Sequence, residues 1–234
     1  MEKQHYNFHT LPSVFMLETH LPEGMVSTLN DYLDKLMIDE NRKSHAGTLV
    51  GQIGHGQQLT MDHHCEDLEE FNRLIQNLAM DYVKKFFEIT GNKLTNTREV
   101  LTDEVWSVHS YQHDYNPIHD HGTKTLMGVS CTAWTKVPQQ ILNQPTAGSP
   151  EYSLYNASGN SDGCLAFSYG RNSLIDVERL APPQNVVVKP EVGKLLMFPS
   201  WLSHMVYPFE GEGERRTVAA NLNVWKVEDD GTRH

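Results

Sequence analysis

Residues 111–121 read Tyr111-Gln112-His113-Asp114-Tyr115-Asn116-Pro117-Ile118-His119-Asp120-His121. In an extended chain, side chains two apart share a face. His119 and His121 therefore converge while Asp120 points away. A second apolar stretch, Phe198-Pro199-Ser200-Trp201-Leu202-Ser203-His204, ends in another histidine, and Arg215-Arg216 opens the alternating run that follows. Three imidazoles with a guanidinium close behind are what a mononuclear metal site with an acidic co-substrate needs. Imidazole alone does not name the metal, since iron, zinc, copper and nickel all accept it. In a chain with 13 histidines a single His-x-His pair is unremarkable. Its surroundings have to decide.

Working outward, the chain after residue 100 breaks into short β-rich runs separated by turn residues, the pattern of a sandwich or barrel. The candidate strands are 104–111, 118–121, 125–135, 163–169, 185–189, 194–198, 204–209 and 215–226, suited to two facing four-stranded sheets. Residues 136–162 hold three prolines and two glycines with little periodicity. So long a connection in a compact domain is usually functional, and it is expected as an insert near the barrel mouth. Upstream, Val26, Leu29, Leu33, Leu36 and Met37 predict a helix over 23–37, after Pro22. Leu68, Phe71, Leu74, Ile75, Leu78, Tyr82, Phe86 and Phe87 predict a longer one over 66–89, with Gly91 placed to end it. Between them 48–53 reads as a strand and Gly54-His55-Gly56-Gln57 as a turn. The expected fold class is mainly β with flanking α-helices. One structural domain would comprise a support region (1–99), the β core (100–226) and a tail (227–234).

Composition narrows the function classes. The chain has 234 residues and a formal net charge of −11. That acidity, without an extended basic run, argues against a nucleic-acid partner. The three cysteines (Cys65, Cys131, Cys164) are odd in number and far apart, which argues against a disulfide framework. Absence of an apolar leader and of any run of about 18 apolar residues predicts a cytoplasmic protein with no membrane association. Asn156-Ala157-Ser158 matches a glycosylation sequon but reads as a loop in that setting.

Three stretches carry a family likeness. They are 111–121 with Leu126-Met127-Gly128-Val129 following; Gly193-Lys194-Leu195-Leu196-Met197-Phe198 through Trp201, His204 and Pro208; and Gly213-Glu214-Arg215-Arg216-Thr217-Val218-Ala219-Ala220-Asn221-Leu222. Together they resemble the iron(II)- and 2-oxoglutarate-dependent oxygenases, most of all a bacterial and phage branch. The resemblance implies a double-stranded β-helix (jelly-roll, cupin-like) core over 100–226. It also implies Fe(II) and 2-oxoglutarate as cofactor and co-substrate, with O2 consumed. On that reading His119 and His204 are the proximal and distal metal ligands. The position where most members carry a carboxylate holds His121. Strand parity favours His121 as third ligand, and a local bulge would instead bring in Asp120. Arg215-x-Thr217 matches the Arg-x-Ser pattern that holds the distal carboxylate of 2-oxoglutarate. A one-residue register change would give that role to Arg216. Tyr111 is placed to bond the co-substrate or to pack, and Asn221 and Asn223 share Arg215's face. Trp134 and Trp201 are candidates to border a substrate. Ser130-Cys131 stands where relatives carry a Tyr-Tyr pair.

The implied activity is decarboxylation of 2-oxoglutarate coupled to hydroxylation of a small-molecule or peptide substrate. Two other classes are compatible with a three-histidine site: a β-helix protein that only binds a metal, and a cupin-type metalloenzyme without oxygen chemistry. His63-His64-Cys65 looks metal-like but lacks a matching second cluster. Nothing around Cys131 or Cys164 suggests an activated thiol.

Overall fold

The computed structural model describes residues 14–48, 54, 56–145, 161–170 and 185–234. Most of the 48–53 run, the sequon at Asn156 and the middle of the 136–162 connection lie outside the described residues.

Among the described residues, ten strands build two antiparallel sheets. In chain order they are β1 (Leu17–His20), β2 (Gln57–Met61), β3 (Thr97–Ser110), β4 (Asn116–His119), β5 (Gly128–Lys136), β6 (Leu165–Ser168), β7 (Asn185–Val188), β8 (Lys194–Pro199), β9 (His204–Val206) and β10 (Arg215–Val227). The major sheet has the order β1-β8-β5-β10-β3-β2 and the minor sheet β4-β9-β6-β7. All eight predicted strands are present, but the sheets hold six and four strands instead of four each. The two additions, β1 and β2, are edge strands of four and five residues. Segments that short show almost no period. Gln57, read as part of a turn, already pairs with His109 on β3.

The helices follow their stripes closely. α1 spans Glu23–Ile38 and α2 spans Glu66–Ile89. Glu66, Asp67 and Glu69 occupy the first turn of α2, where carboxylates complement the helix dipole. Gly91 follows the last turn at φ +70, a left-handed conformation that favours glycine. Leu29 and Leu33 of α1, with Leu68, Phe71 and Ile75 of α2, bury against the outer face of the major sheet.

Strand parity then divides the sequence between two cores. On β8, Leu195 and Met197 face the helices, whereas Leu196 and Phe198 join Trp134, Leu165 and Phe167 between the sheets. On β10, Val218, Ala220 and Leu222 belong to the helix side. Their neighbours Arg215, Thr217 and Ala219 line an inner cavity. Among the described residues, no helix is long and apolar enough to cross a membrane.

A polar network ties α1 to the sheet. Ser107 Oγ lies 2.9 Å from His109 Nε2, and His109 Nδ1 lies 2.6 Å from Glu214 Oε1. Arg216 donates to both Glu214 oxygens at 2.7 and 2.9 Å and reaches Asp34 of α1 at 2.7 Å. Burial pushes the Glu214 carboxyl up, but the bonds from His109 and Arg216 outweigh it and hold the pKa at about 2. A carboxylate with a depressed pKa stabilises the fold at pH values above its unfolded pKa, here 4.5, and that stabilisation is lost as pH falls toward 2. Thermal melts between pH 6 and 3 are expected to show wild type losing Tm more steeply than Glu214→Gln. Parallel curves for the two proteins would remove Glu214 from the acid response.

Candidate metal centre and co-substrate pocket

The three histidines meet. One ring nitrogen from each of His119, His121 and His204 lies within 4.8 Å of the others. β4 and β9 are adjacent strands of the minor sheet, and His119 is the direct partner of His204. His204 thus arrives from the neighbouring strand of the same sheet. β4 ends at His119, so His121 stands beyond the ladder, placed by its backbone N–H donating to Ser200 O at 2.9 Å. Asp120 is exposed and stands outside the cluster.

Backbone carbonyls set two of the rings. His119 Nδ1 donates to Pro117 O at 2.7 Å and His204 Nδ1 to Leu202 O at 2.8 Å. Each tautomer leaves Nε2 with a free lone pair, as ligation requires. His121 Nε2 is 3.2 Å from His204 Nε2, and its Nδ1 is 3.4 Å from the Asn221 amide nitrogen. Burial, reinforced by the neighbouring imidazoles, pushes His121 down to about 4 and His204 to about 3. Both are neutral at pH 7, the form that binds a metal.

An inner cavity of about 70 Å³ joins this cluster to β10. Arg215 and Thr217 line its wall together with the three histidines. The Arg215 side chain is buried, its Nε donating to Gly163 O at 2.8 Å and its guanidinium carbon 5.8 Å from the Trp134 ring centre. Burial pushes its pKa down to about 10, and no carboxylate among the described residues pairs with it. A buried, unpaired guanidinium is costly unless an anion meets it. Arg216 points the other way, saturated by Glu214 and Asp34. The pair is separated by strand parity, with a register irregularity against β5 between Arg216 and Thr217.

This arrangement fits the groups that the sequence implies. Three imidazole nitrogens converge at one part of the cavity, and a cation without a carboxylate partner among the described residues lines another. A divalent metal and a dicarboxylate would satisfy both.

Other expected residues fall elsewhere. Tyr111 is not on the cavity wall. β3 alternation brings Trp106, Val108 and Ser110 there, and odd-numbered Tyr111 turns toward Glu214 and Arg216. Tyr115 takes the place on the wall. Asn221 lies on an adjoining cavity, where it receives the Ser130 hydroxyl at 2.7 Å and donates to Glu104 at 2.7 Å. Asn223 Oδ1 accepts from the backbone of Lys124 and Thr125, bracing the loop after His121. Trp134 is fully buried between the sheets, and Trp201 lies on the outer surface at 59% exposure. Cys131 and Cys164 are pushed up to about 12 and about 11 by burial, so neither thiol is activated. The His63 and His64 rings lie 4.1 Å apart, tilted by 40°, but join no metal-sized cluster among the described residues.

Gln58, Tyr115 and Asn116 complete the wall and had no signal of their own in the sequence. The alternation at 106, 108 and 110 was the nearest clue, since β2 pairs Gln58 with Val108.

The stem of the 136–162 connection approaches Arg215. α3 (Gln139–Leu142) buries Ile141 near Gly163, whose carbonyl receives Arg215. Gly163 sits at φ +68, and a Cβ there would come 2.4 Å from Ile141 Cδ1. Gly163→Ala is therefore expected to lower Tm, with roughly 1–2 kcal/mol from the left-handed backbone alone, and to weaken 2-oxoglutarate binding by moving the Arg215 support. Melting curves and co-substrate titration check both. An unchanged titration would show that the carbonyl does not hold the guanidinium in place.

Solved structures with this fold share the arrangement of strands at low identity. A Pseudomonas putida prolyl-4-hydroxylase superposes with a TM-score of 0.54 at 15% identity, over 89% of this chain and 91% of that one. The α-ketoglutarate-dependent carbocyclase SnoK from nogalamycin biosynthesis gives 0.56 at 11% identity, over 90% and 81%. These similarities define the double-stranded β-helix fold. No curated protein matches the sequence. The family described as "Putative 2OG-Fe(II) oxygenase" matches residues 104–221, half of the chain. The chain belongs to this family of oxygenases, whose members depend on iron(II) and 2-oxoglutarate.

Proposed function

We propose that this protein is a dioxygenase that hydroxylates a small-molecule or peptide substrate, with His119, His121 and His204 as its iron ligands. The observation that carries the reading is that one cavity is lined by all three imidazoles and by the unpaired guanidinium of Arg215. When bound, iron and 2-oxoglutarate supply O2 activation, with the keto acid converted to succinate and CO2 as a C–H bond is hydroxylated. The chain's own residues bind and orient. His119 and His204 would each offer Nε2 to the ion, their Nδ1 being taken up by the carbonyls of Pro117 and Leu202, and His121 would supply the third nitrogen. Arg215 and Thr217 receive the distal carboxylate of 2-oxoglutarate, charge-assisted bonding that a guanidinium suits well. Phe198 and Leu165 on the wall keep bulk water from that pocket. His121 replaces a ligand carboxylate, so the protein adds no negative charge to the centre.

The test is anaerobic addition of Fe(II) and 2-oxoglutarate to the purified protein. A visible charge-transfer band is expected, followed by succinate release when oxygen is admitted. Retained metal with neither band nor succinate would replace this reading with a binding protein or a cupin-type enzyme.

A further inference from the structure

A second cavity, about 180 Å³, adjoins the first and shares His119, His121, Gln58, Trp106 and Asn116 with it. The rest of its wall is His45, Glu104, Asp120, Gly122 and Asn221. We propose that this cavity receives the primary substrate, and that the group it recognises is a cationic nitrogen, an ammonium or a guanidinium. The inference rests on the dioxygenase reading and names the substrate class of the same site.

Three observations converge on a donor-rich cation. The charged groups on the wall are Glu104 and Asp120, with no lysine or arginine among the described lining residues. Lys124 lies near Glu104 but is bonded to Asp103. His45 is pushed down by burial and adds no positive charge at pH 7. The second observation is independent of the carboxylates. Gln58 is only 6% exposed, lines both cavities and makes no side-chain hydrogen bond to another described residue. A buried amide in that condition awaits a ligand. The third is Asn116, whose Oδ1 is buried, without a partner, on the same wall. The wall thus offers two carboxylates and the Gln58 carbonyl as acceptors, and no lysine or arginine donor among its described residues. Asn221 donates to one Glu104 oxygen at 2.7 Å, and His45 Nε2 lies 3.9 Å from the other.

The loaded centre does not cancel this field. Fe(II), dianionic 2-oxoglutarate and Arg215 together carry +1, against −2 from Glu104 and Asp120 on the wall of this cavity, and three histidines contribute no charge. Glu104 and Asp120 therefore set the sign of the potential at the substrate. The net charge of −11 draws cations toward the molecule as a whole.

The experiment is calorimetric titration of the Zn(II)-loaded protein, saturated with 2-oxoglutarate, against four five-carbon-scale probes: cadaverine, agmatine, 1,5-pentanediol and glutarate. At least one cation is expected to bind, with the diol and the dianion at least tenfold weaker. Agmatine carries an ammonium as well as a guanidinium, so tighter binding of agmatine than of cadaverine assigns the guanidinium, and equal or weaker binding assigns the ammonium. Glu104→Gln is expected to weaken cation binding at least tenfold. The exposed Asp120→Asn, which leaves the Asn221 contact in place, is expected to weaken it severalfold. Melting curves and 2-oxoglutarate titration establish that both variants remain folded. Absence of binding by both cations, equal binding by the diol or glutarate, or cation binding indifferent to both substitutions would overturn the proposal. The two readings fail separately. A protein that binds 2-oxoglutarate and releases succinate but shows no cation preference remains a dioxygenase with a different substrate. One without the charge-transfer band loses the dioxygenase assignment whatever the cations do.

Discussion

His204→Ala is expected to leave the protein unable to hold iron, with affinity down by more than about 100-fold. Substitutions that only disturb a ligand's outer partners already cost about 10–100-fold, and this one removes a ligand. His204 is 6% exposed and its Nε2 has a free lone pair because Nδ1 is tied to Leu202 O. The same ring packs on Phe198 at 5.0 Å and Phe167 at 5.9 Å, so alanine also opens a gap between the sheets. His204→Gln fills more of that space and separates the two effects. Iron content after dialysis reads metal affinity, and melting of the metal-free proteins reads packing. If His204→Gln retained stoichiometric Fe(II), the three-imidazole centre would be wrong.

Arg215→Met is expected to raise the concentration of 2-oxoglutarate needed for half-saturation by roughly 100-fold or more. Hydrogen bonds to charged groups contribute about 1.5–3 kcal/mol each, and a guanidinium offers two in parallel. The same substitution is expected to leave the Tm of the protein without co-substrate unchanged or higher. That second outcome follows from the environment. Arg215 is buried, has no carboxylate partner among the described residues, and its pKa is held down to about 10. Methionine relieves that desolvation. Arg216→Met is the contrast: it breaks the bonds to Glu214 and Asp34 and should lower Tm while leaving 2-oxoglutarate saturation alone. If the two variants behaved alike, the division of labour along β10 would not hold.

Much of this architecture was legible from periodicity. Eight strands and two long helices appeared where alternation and the three-to-four-residue stripe placed them, because each buries one face against a partner layer. The placing of Arg215 and Arg216 on opposite faces follows from the same parity, whereas His121, beyond the end of β4, is placed by its backbone bond to Ser200. The failures were also physical. β1 and β2 are too short to carry a period and are held by register with longer neighbours. Tyr111 was assigned by its distance from His119, but side-chain direction depends on which residue last obeys the pleat. β3 ends at Ser110 and the chain turns through His113 at φ 68.

What the sequence by itself determined is the set of chemical groups and the side of each strand on which they lie. It specified three imidazoles, two arginines on opposite faces and an acidic chain. Only the tertiary structure decided which groups meet. It paired His119 with His204 on adjacent strands, left Arg215 without a carboxylate partner among the described residues while Arg216 received two, and brought Gln58 from an unforeseen edge strand to the junction of two cavities. The reason is that local pattern fixes direction within a strand, whereas sheet order and register fix neighbours. Those depend on packing between segments separated by up to more than a hundred residues.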